Sequence, residues 1–217
     1  MLQLTNLRKS YSRRLVLDIP SLQLAGGIYW IKGANGSGKT TLLKMIAGLI
    51  PFEGDILFRD ISLKNKVLDY RRMVSWAEAE PLFPDFLTGA EVVSLYQEIR
   101  GVPQSSVDHL LAIFAMTSYI HTPIGTYSAG MTKKLSLVLA FLGDCPVMLL
   151  DEPLITLDDA ALLSVGQLIG ERSAGSAAGA GTGTIFLMSS HQQPDKSLLE
   201  LLPASKELIV DNQTISN

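Results

Sequence analysis

The chain has 217 residues, enough for one sizeable core with a smaller lobe attached and too few for a multidomain machine. With 18 basic against 21 acidic residues its formal charge is −3, which excludes the global positive field of a protein held on nucleic acid. A single cysteine, Cys145, excludes an internal disulfide; between Asp144 and Pro146 it reads as a packed thiol.

The opening Met1-Leu2-Gln3-Leu4-Thr5 lacks a basic segment followed by an apolar run, so no secretory signal is expected and the cytoplasm is the predicted address. Residues 2–32 read as several short strands with basic and polar turns, including Leu15-Val16-Leu17-Asp18-Ile19 and a second run over residues 21–24 before Gly26-Gly27. Ile28-Tyr29-Trp30-Ile31 is a β-rich run that feeds residues 33–41, Gly-Ala-Asn-Gly-Ser-Gly-Lys-Thr-Thr. This is a complete G-x-x-x-x-G-K-T phosphate loop. Leu42, Leu43, Ile46 and Ala47 follow at helical spacing before Gly48 and Pro51, so the loop sits between a strand and a helix. Its glycines let the backbone of Asn35, Gly36, Ser37 and Gly38 wrap an anion, with the N–H groups of the helix start, through Thr41, pointing inward. Lys39 adds a full positive charge, and the Thr40 hydroxyl stands where a magnesium ion bridging the outer phosphates of a nucleoside triphosphate needs an oxygen.

Further along, Glu53-Gly54-Asp55 reads as a turn into Ile56-Leu57-Phe58, and Met73-Val74-Ser75-Trp76 as another short strand. Thr88 with Glu91 predicts a capping box, with Val92, Leu95, Tyr96 and Ile99 on one helical face behind it. Ser105 with Asp108 repeats the pattern, with Val107, Leu110, Leu111 and Phe114 on one helical face. Residues 80–128 therefore read as a helical lobe inserted in an α/β core made of residues 1–79 and 129–217. His109 and His121 show no metal-ligand pattern.

Tyr127-Ser128-Ala129-Gly130-Met131 precedes an apolar helix expected to begin near Thr132 and run to Leu142. Small residues there, Ser128 and Gly130 among them, make a second anion cradle at a helix N-terminus, although an ordinary cap looks the same. Even the strongest apolar stretch, residues 135–141, is far short of the roughly 20 residues of a spanning helix, so any membrane role must come through a partner.

Val147-Met148-Leu149-Leu150 reads as a buried strand ending in Asp151-Glu152-Pro153. A carboxylate at the end of such a strand is costly unless it faces a cation, which assigns Asp151 to magnesium and Glu152 to polarising the attacking water as general base. The alternative is a solvated turn. A helix is expected from near Asp159, then a mobile surface loop over residues 173–183, which are almost wholly Ser, Ala, Gly and Thr. Ile185 to Met188 reads as a strand leading to Ser189-Ser190-His191, where the histidine either senses the terminal phosphate or caps a surface turn. Strands alternating with helices predict a mainly parallel sheet with ligands at the strands' carboxyl ends.

In this order, these residues resemble the ATP-binding-cassette ATPases, specifically the nucleotide-binding subunits of transporters, over nearly the whole chain. Gly33 to Thr40 is similar to the family's Walker A, Val147 to Asp151 with Glu152 to Walker B and its catalytic glutamate, and His191 to the switch histidine. Ser128 to Gly130 lies where the family carries its Leu-Ser-Gly-Gly-Gln signature. The resemblance implies a P-loop NTPase fold with an N-terminal antiparallel β part, hydrolysis of ATP with Mg2+, and a homodimer or heterodimer in which one subunit's signature closes over the other's phosphate. It also implies permease subunits in the membrane, placing the chain on the inner face of the cell membrane, and no nucleic-acid partner. By position, Tyr11 matches the aromatic that stacks on adenine, Leu157-Asp158 the end of the D-loop, and Lys134 the family's arginine after the signature.

The sequence departs from the pattern in three places. Ala129 and Met131 replace a glycine and the glutamine of the signature, in a form similar to exporter-type subunits. Ala79, flanked by Glu78 and Glu80, stands where the family carries a glutamine that touches magnesium; either glutamate could serve as the oxygen donor instead. Three functional readings follow: the motor subunit of an export system, a soluble cassette ATPase of DNA repair or translation, and a weakly hydrolysing nucleotide-binding regulator.

Overall fold

The computed structural model describes residues 1–174, 183–190, 202 and 205–216. In chain order the strands are β1 (Leu2–Tyr11), β2 (Arg14–Leu24), β3 (Gly27–Lys32), β4 (Glu53–Phe58), β5 (Ile61–Ser62), β6 (Val74–Ala77), β7 (Val147–Leu150), β8 (Ile185–Ser189), β9 (Lys206–Asp211) and β10 (Thr214–Ser216). The helices are α1 (Lys39–Ile46), α2 (Val67–Arg72), α3 (Gly89–Arg100), α4 (Gln104–Ile113), α5 (Ala129–Phe141) and α6 (Asp159–Ala174). The result is the mixed α/β P-loop architecture the sequence predicts, with an antiparallel N-terminal part.

One sheet has the order β2-β1-β4-β5 and is antiparallel throughout; the other has the order β10-β9-β3-β8-β7-β6 and is parallel except for β10. Strand periodicity explains how the second sheet is buried on both faces. Tyr29 and Ile31, Val147 and Leu149, and Ile185 and Leu187 pack with α1 and the antiparallel sheet in one core. Their neighbours Ile28 and Trp30, Met148 and Leu150, and Phe186 and Met188 pack in a second core with α3 to α6. Every strand carrying a motif is thus clamped from two sides, which fixes where its carboxyl end lies.

Several local expectations change. The two runs before Gly26 are one strand, β2, because pairing with β1 continues past Pro20; β2 is the sheet edge, where a missing N–H breaks no ladder. Glu53-Gly54-Asp55 is strand rather than turn: Glu53 pairs with Arg8, and a side chain at Gly54 would lie 2.2 Å from the Asn6 carbonyl oxygen. The Thr88–Glu91 capping box forms as predicted, but the one at Ser105 does not. Pro103 begins α4 instead, and Gln104 donates to the Asp108 carboxylate at 2.9 Å, occupying the group the box would have used. Helix α5 starts at Ala129, three residues early, since Ser128 caps it by accepting from the Met131 N–H at 3.2 Å. At the other end of the sequence, α6 continues through Ala174, so residues 173 and 174 are helix rather than loop; the rest of the predicted loop, residues 175–182, lies outside the described residues.

Candidate functional site

Strand β3 ends at Lys32 and the chain turns through residues 33–38 into α1. Gly38 holds φ = 113°, a conformation only glycine adopts without strain, and no side chain caps the helix, so its first N–H groups face the loop. Lys39, 5% exposed, folds over that loop and donates to the carbonyls of Gly33 at 2.7 Å and Ala34 at 3.1 Å. Burial holds its ammonium below the usual lysine range, opposed by the nearby Glu152 and Asp151 carboxylates.

The order of strands supplies the next element. β8 lies between β3 and β7, so the end of β8 stands between the phosphate loop and Asp151. Ser189, the last residue of β8, donates to Asp151 Oδ1 at 2.5 Å and accepts from the Glu152 N–H at 2.9 Å. Thr40 donates to the same Asp151 Oδ1 at 3.2 Å. Asp151 is fully buried, and its second carboxylate oxygen, Oδ2, has no hydrogen-bond partner among the described residues. A buried carboxylate oxygen left open beside a threonine hydroxyl is a hard-oxygen donor set suited to a divalent cation such as Mg2+. Glu152 holds φ = 44°, a strained conformation for a non-glycine residue, pinned by the Ser189 contact.

Lys39, Thr40 and Glu152 line a cleft of about 850 Å³, and the buried Asp151 and Ser189 stand behind Thr40 and Glu152 through their hydrogen bonds. Asn35, Gly36, Ser37, Gly38, Lys39, Thr40, Thr41 and Glu152 line its inner part. Two hairpin tips form the outer part. The β1–β2 turn, with Ser12 and Arg13 both at positive φ, brings Tyr11 and Arg14 to the rim; the β9–β10 turn, with Asn212 and Gln213 likewise, brings Asp211 beside them. The Asp18 N–H donates to the Gln213 carbonyl at 2.7 Å, tying the β9–β10 tip to strand β2. Tyr11 is 48% exposed, with the Lys9 ammonium 4.6 Å from its ring centroid, so a cation backs the ring that faces the rim.

Ser128 and Gly130 do not line this cleft. Ser128 caps α5 at an exposed position, and a side chain at Gly130 would lie 2.8 Å from the Thr156 carbonyl oxygen, so the turn after β7 packs directly on the α5 start. Lys134 pairs with Asp158 at 2.6 Å, and Asp158 in turn accepts from the Ala161 N–H at the start of α6. These bonds hold the Asp158 carboxyl below its usual range. His191 lies outside the described residues. Neither glutamate beside Ala79 reaches Asp151 through a hydrogen bond: the Glu78 carboxylate pairs with Lys44 at 2.7 Å, and Glu80 is exposed.

Sequence reasoning missed three contributors. Ser189 carried a signal, a hydroxyl at the end of an apolar strand, but its use depends on which strands flank it. The Asp211-Asn212-Gln213 turn lies between an apolar run and Ile215, a short hairpin pattern. Lys133 is one of two adjacent lysines at the start of an apolar helix, and it is 1% exposed.

The chain matches the ABC transporter family over residues 18–155. It is 33% identical over 195 residues to the cytochrome c biogenesis ATP-binding export protein CcmA of Legionella pneumophila, covering 88% of this chain and 93% of that one. Among solved structures, an ATP-binding subunit of an ABC transporter superposes with a TM-score of 0.85 at 25% identity, covering 100% of this chain and 88% of the other. A dimeric post-hydrolysis ATP-binding cassette bound to ADP and Pi shares the fold with a TM-score of 0.80 at 19% identity, covering 100% and 97%. Among the described residues, no helix is long and apolar enough to cross a membrane. The chain belongs to the ABC transporter family, as an ATP-binding, ATP-hydrolysing subunit that powers transport.

Proposed function

We propose that the chain drives export through separate membrane-spanning subunits, from the inner face of the cell membrane, closing on ATP as a pair with a second copy or a related subunit. The observation that carries this reading is the meeting of Lys39, Thr40 and Glu152 in one cleft, with Asp151 buried directly behind Thr40 and its Oδ2 without a hydrogen-bond partner among the described residues. Residues 33–41 and Lys39 bind the phosphates, and Tyr11 stacks on the base. Thr40 and Asp151 hold Mg2+, which when bound neutralises phosphate charge and orients the terminal phosphoryl group. Glu152 accepts the proton of the attacking water, and His191 hydrogen-bonds the terminal phosphate. Ser128 and Gly130, standing away from their own cleft, complete the site of the partner subunit.

Ser189 orients both Asp151 and the Glu152 backbone, so it acts behind the metal ligand. Ser189→Ala is expected to raise the Mg2+ needed for half-maximal nucleotide binding and turnover by about 10- to 100-fold. A magnesium titration of both quantities checks this.

Residues 80–128 form a helical subdomain of a single ATPase domain, and they present the exposed apolar residues Leu82, Phe86, Leu95 and Ile99. Such side chains favour a protein partner, and the reading takes that partner to be the membrane subunit. Phe86→Asp combined with Ile99→Asp is expected to abolish co-purification with the membrane subunits while ATP hydrolysis by the isolated chain stays within about twofold of wild type. Recovery of the doubly substituted chain in an unchanged complex would show that the docking face lies elsewhere. A wild-type chain that hydrolyses ATP but never co-purifies with membrane subunits would overturn the transporter reading.

A further inference from the structure

Lys133 lies at the start of α5 with its ammonium buried; among the described residues it makes no ion pair, and the Asp151, Glu152 and Glu78 carboxylates act on it from beyond pairing distance. Three backbone carbonyls accept from it: Glu78 at 2.8 Å, Ala79 at 3.2 Å and Asp151 at 2.9 Å. The first two follow the end of β6 and the third follows the end of β7, so one side chain ties both strand ends to the helix that Ser128 caps. Burying a cation is costly, and Met would fill a similar volume without that cost. Desolvation pushes the Lys133 ammonium down to about 8, against the opposing pull of the Asp151, Glu152 and Glu78 carboxylates. Packing does not account for a lysine here; its three donors do.

The contact continues beyond Lys133. The Glu78 carboxylate pairs with Lys44 on α1, and Lys44 lies one helical turn after Thr40. Thr40 donates to Asp151 Oδ1, and the Asp151 carbonyl accepts from Lys133. The bonds therefore close a ring that passes through Lys133, Glu78, Lys44, α1, Thr40 and Asp151. It joins the Ser128 helix to the pair of residues assigned to the metal, through the segment where Ala79 provides no polar side chain.

We propose that Lys133 is a positioning residue for ATP hydrolysis, setting the placement of Asp151 and the residue 78–79 segment from helix α5 through its three carbonyl contacts and the Glu78–Lys44 pair. The proposal rests on the nucleotide-site reading above. It predicts a defect in turnover rather than in nucleotide binding, because the phosphate loop itself makes no bond to Lys133. Its parts are tested by Lys133→Met, which keeps the length without donors, by Lys133→Gln, which keeps an amide donor, and by Lys44→Met.

Steady-state hydrolysis and equilibrium binding of a fluorescent ATP analogue with Mg2+ are measured for each variant beside wild type. Lys133→Met is expected to lower kcat by about tenfold or more with the analogue's affinity changed less than about threefold, and Lys133→Gln to restore most of the loss. Lys44→Met is expected to show a smaller loss of the same kind, and to add little in the Lys133→Met background, because both substitutions open one ring. Unchanged kcat in Lys133→Met, equal losses of kcat and affinity, or full additivity with Lys44→Met would overturn the inference. If Lys133→Met fails to fold, Lys44→Met decides alone: a loss confined to kcat supports the ring, and an unchanged kcat overturns it. A wild-type chain that binds no nucleotide would overturn the proposed function and this inference together, whereas normal wild-type turnover with an unaffected Lys133→Met overturns this inference only.

Discussion

Lys39→Ala is expected to lower kcat/KM for ATP by about 10²- to 10³-fold, the loss typical of removing one preorganised charge from a phosphoryl-transfer site. The lysine is nearly buried and pulled onto the Gly33 and Ala34 carbonyls, so its position is set before nucleotide arrives. Those carbonyl bonds are expected to give way to phosphate bonds on binding. Alanine leaves the loop N–H groups in place, so residual binding is expected from the backbone alone. The loss should appear in both affinity and turnover, because the phosphates are present in ground state and transition state alike. Initial rates across an ATP series separate the two.

Glu152→Gln is expected to divide those properties. The amide keeps the size and the strained φ = 44° backbone of Glu152, which the Ser189 hydroxyl fixes through the residue 152 N–H rather than through the side chain. It removes the proposed base. Phosphate release should fall by about 10²- to 10⁴-fold while MgATP affinity is retained. With hydrolysis stopped, ATP should hold two copies together, visible as a doubled mass by light scattering that reverts when magnesium is chelated. Equal, near-zero phosphate release in wild type and Glu152→Gln would favour the weakly hydrolysing regulator over the motor.

The contrast between these two residues and Ser189 shows what was legible in the sequence. The phosphate loop is contiguous and acts largely through its own backbone, so residues 33–41 specify it without reference to the rest of the chain. Asp151 was legible for a related reason: a carboxylate ending the run Val147-Met148-Leu149-Leu150 needs a cation to justify its burial. Ser189 has no such local argument. Its importance comes from β8 being laid between β3 and β7, a property of the sheet order rather than of any short window. Lys133 carried no local signal, being one of two adjacent lysines at the start of an apolar helix. Only the packed helix shows that Lys134 turns toward Asp158 while Lys133 turns inward.

The helical readings held where capping and periodicity agreed, as at Thr88, and shifted where one side chain was claimed by a nearer partner, as at Asp108. The strand readings erred at Pro20 and Gly54, residues that punctuate a chain locally but that long-range pairing with β1 absorbed. The β9–β10 hairpin was not read at all. Its short strands carry a weak pattern, and their burial depends on pairing with β3.

The central claim is that the cleft lined by the phosphate loop and Glu152, with Asp151 buried behind Thr40, holds one nucleoside triphosphate. Calorimetric titration of the purified chain with ATP and Mg2+ tests it most directly. The account predicts a saturable heat of binding that is stoichiometric with the chain and weakens strongly in Lys39→Ala. A wild-type titration without heat of association, or an isotherm that Lys39→Ala leaves unchanged, would contradict it.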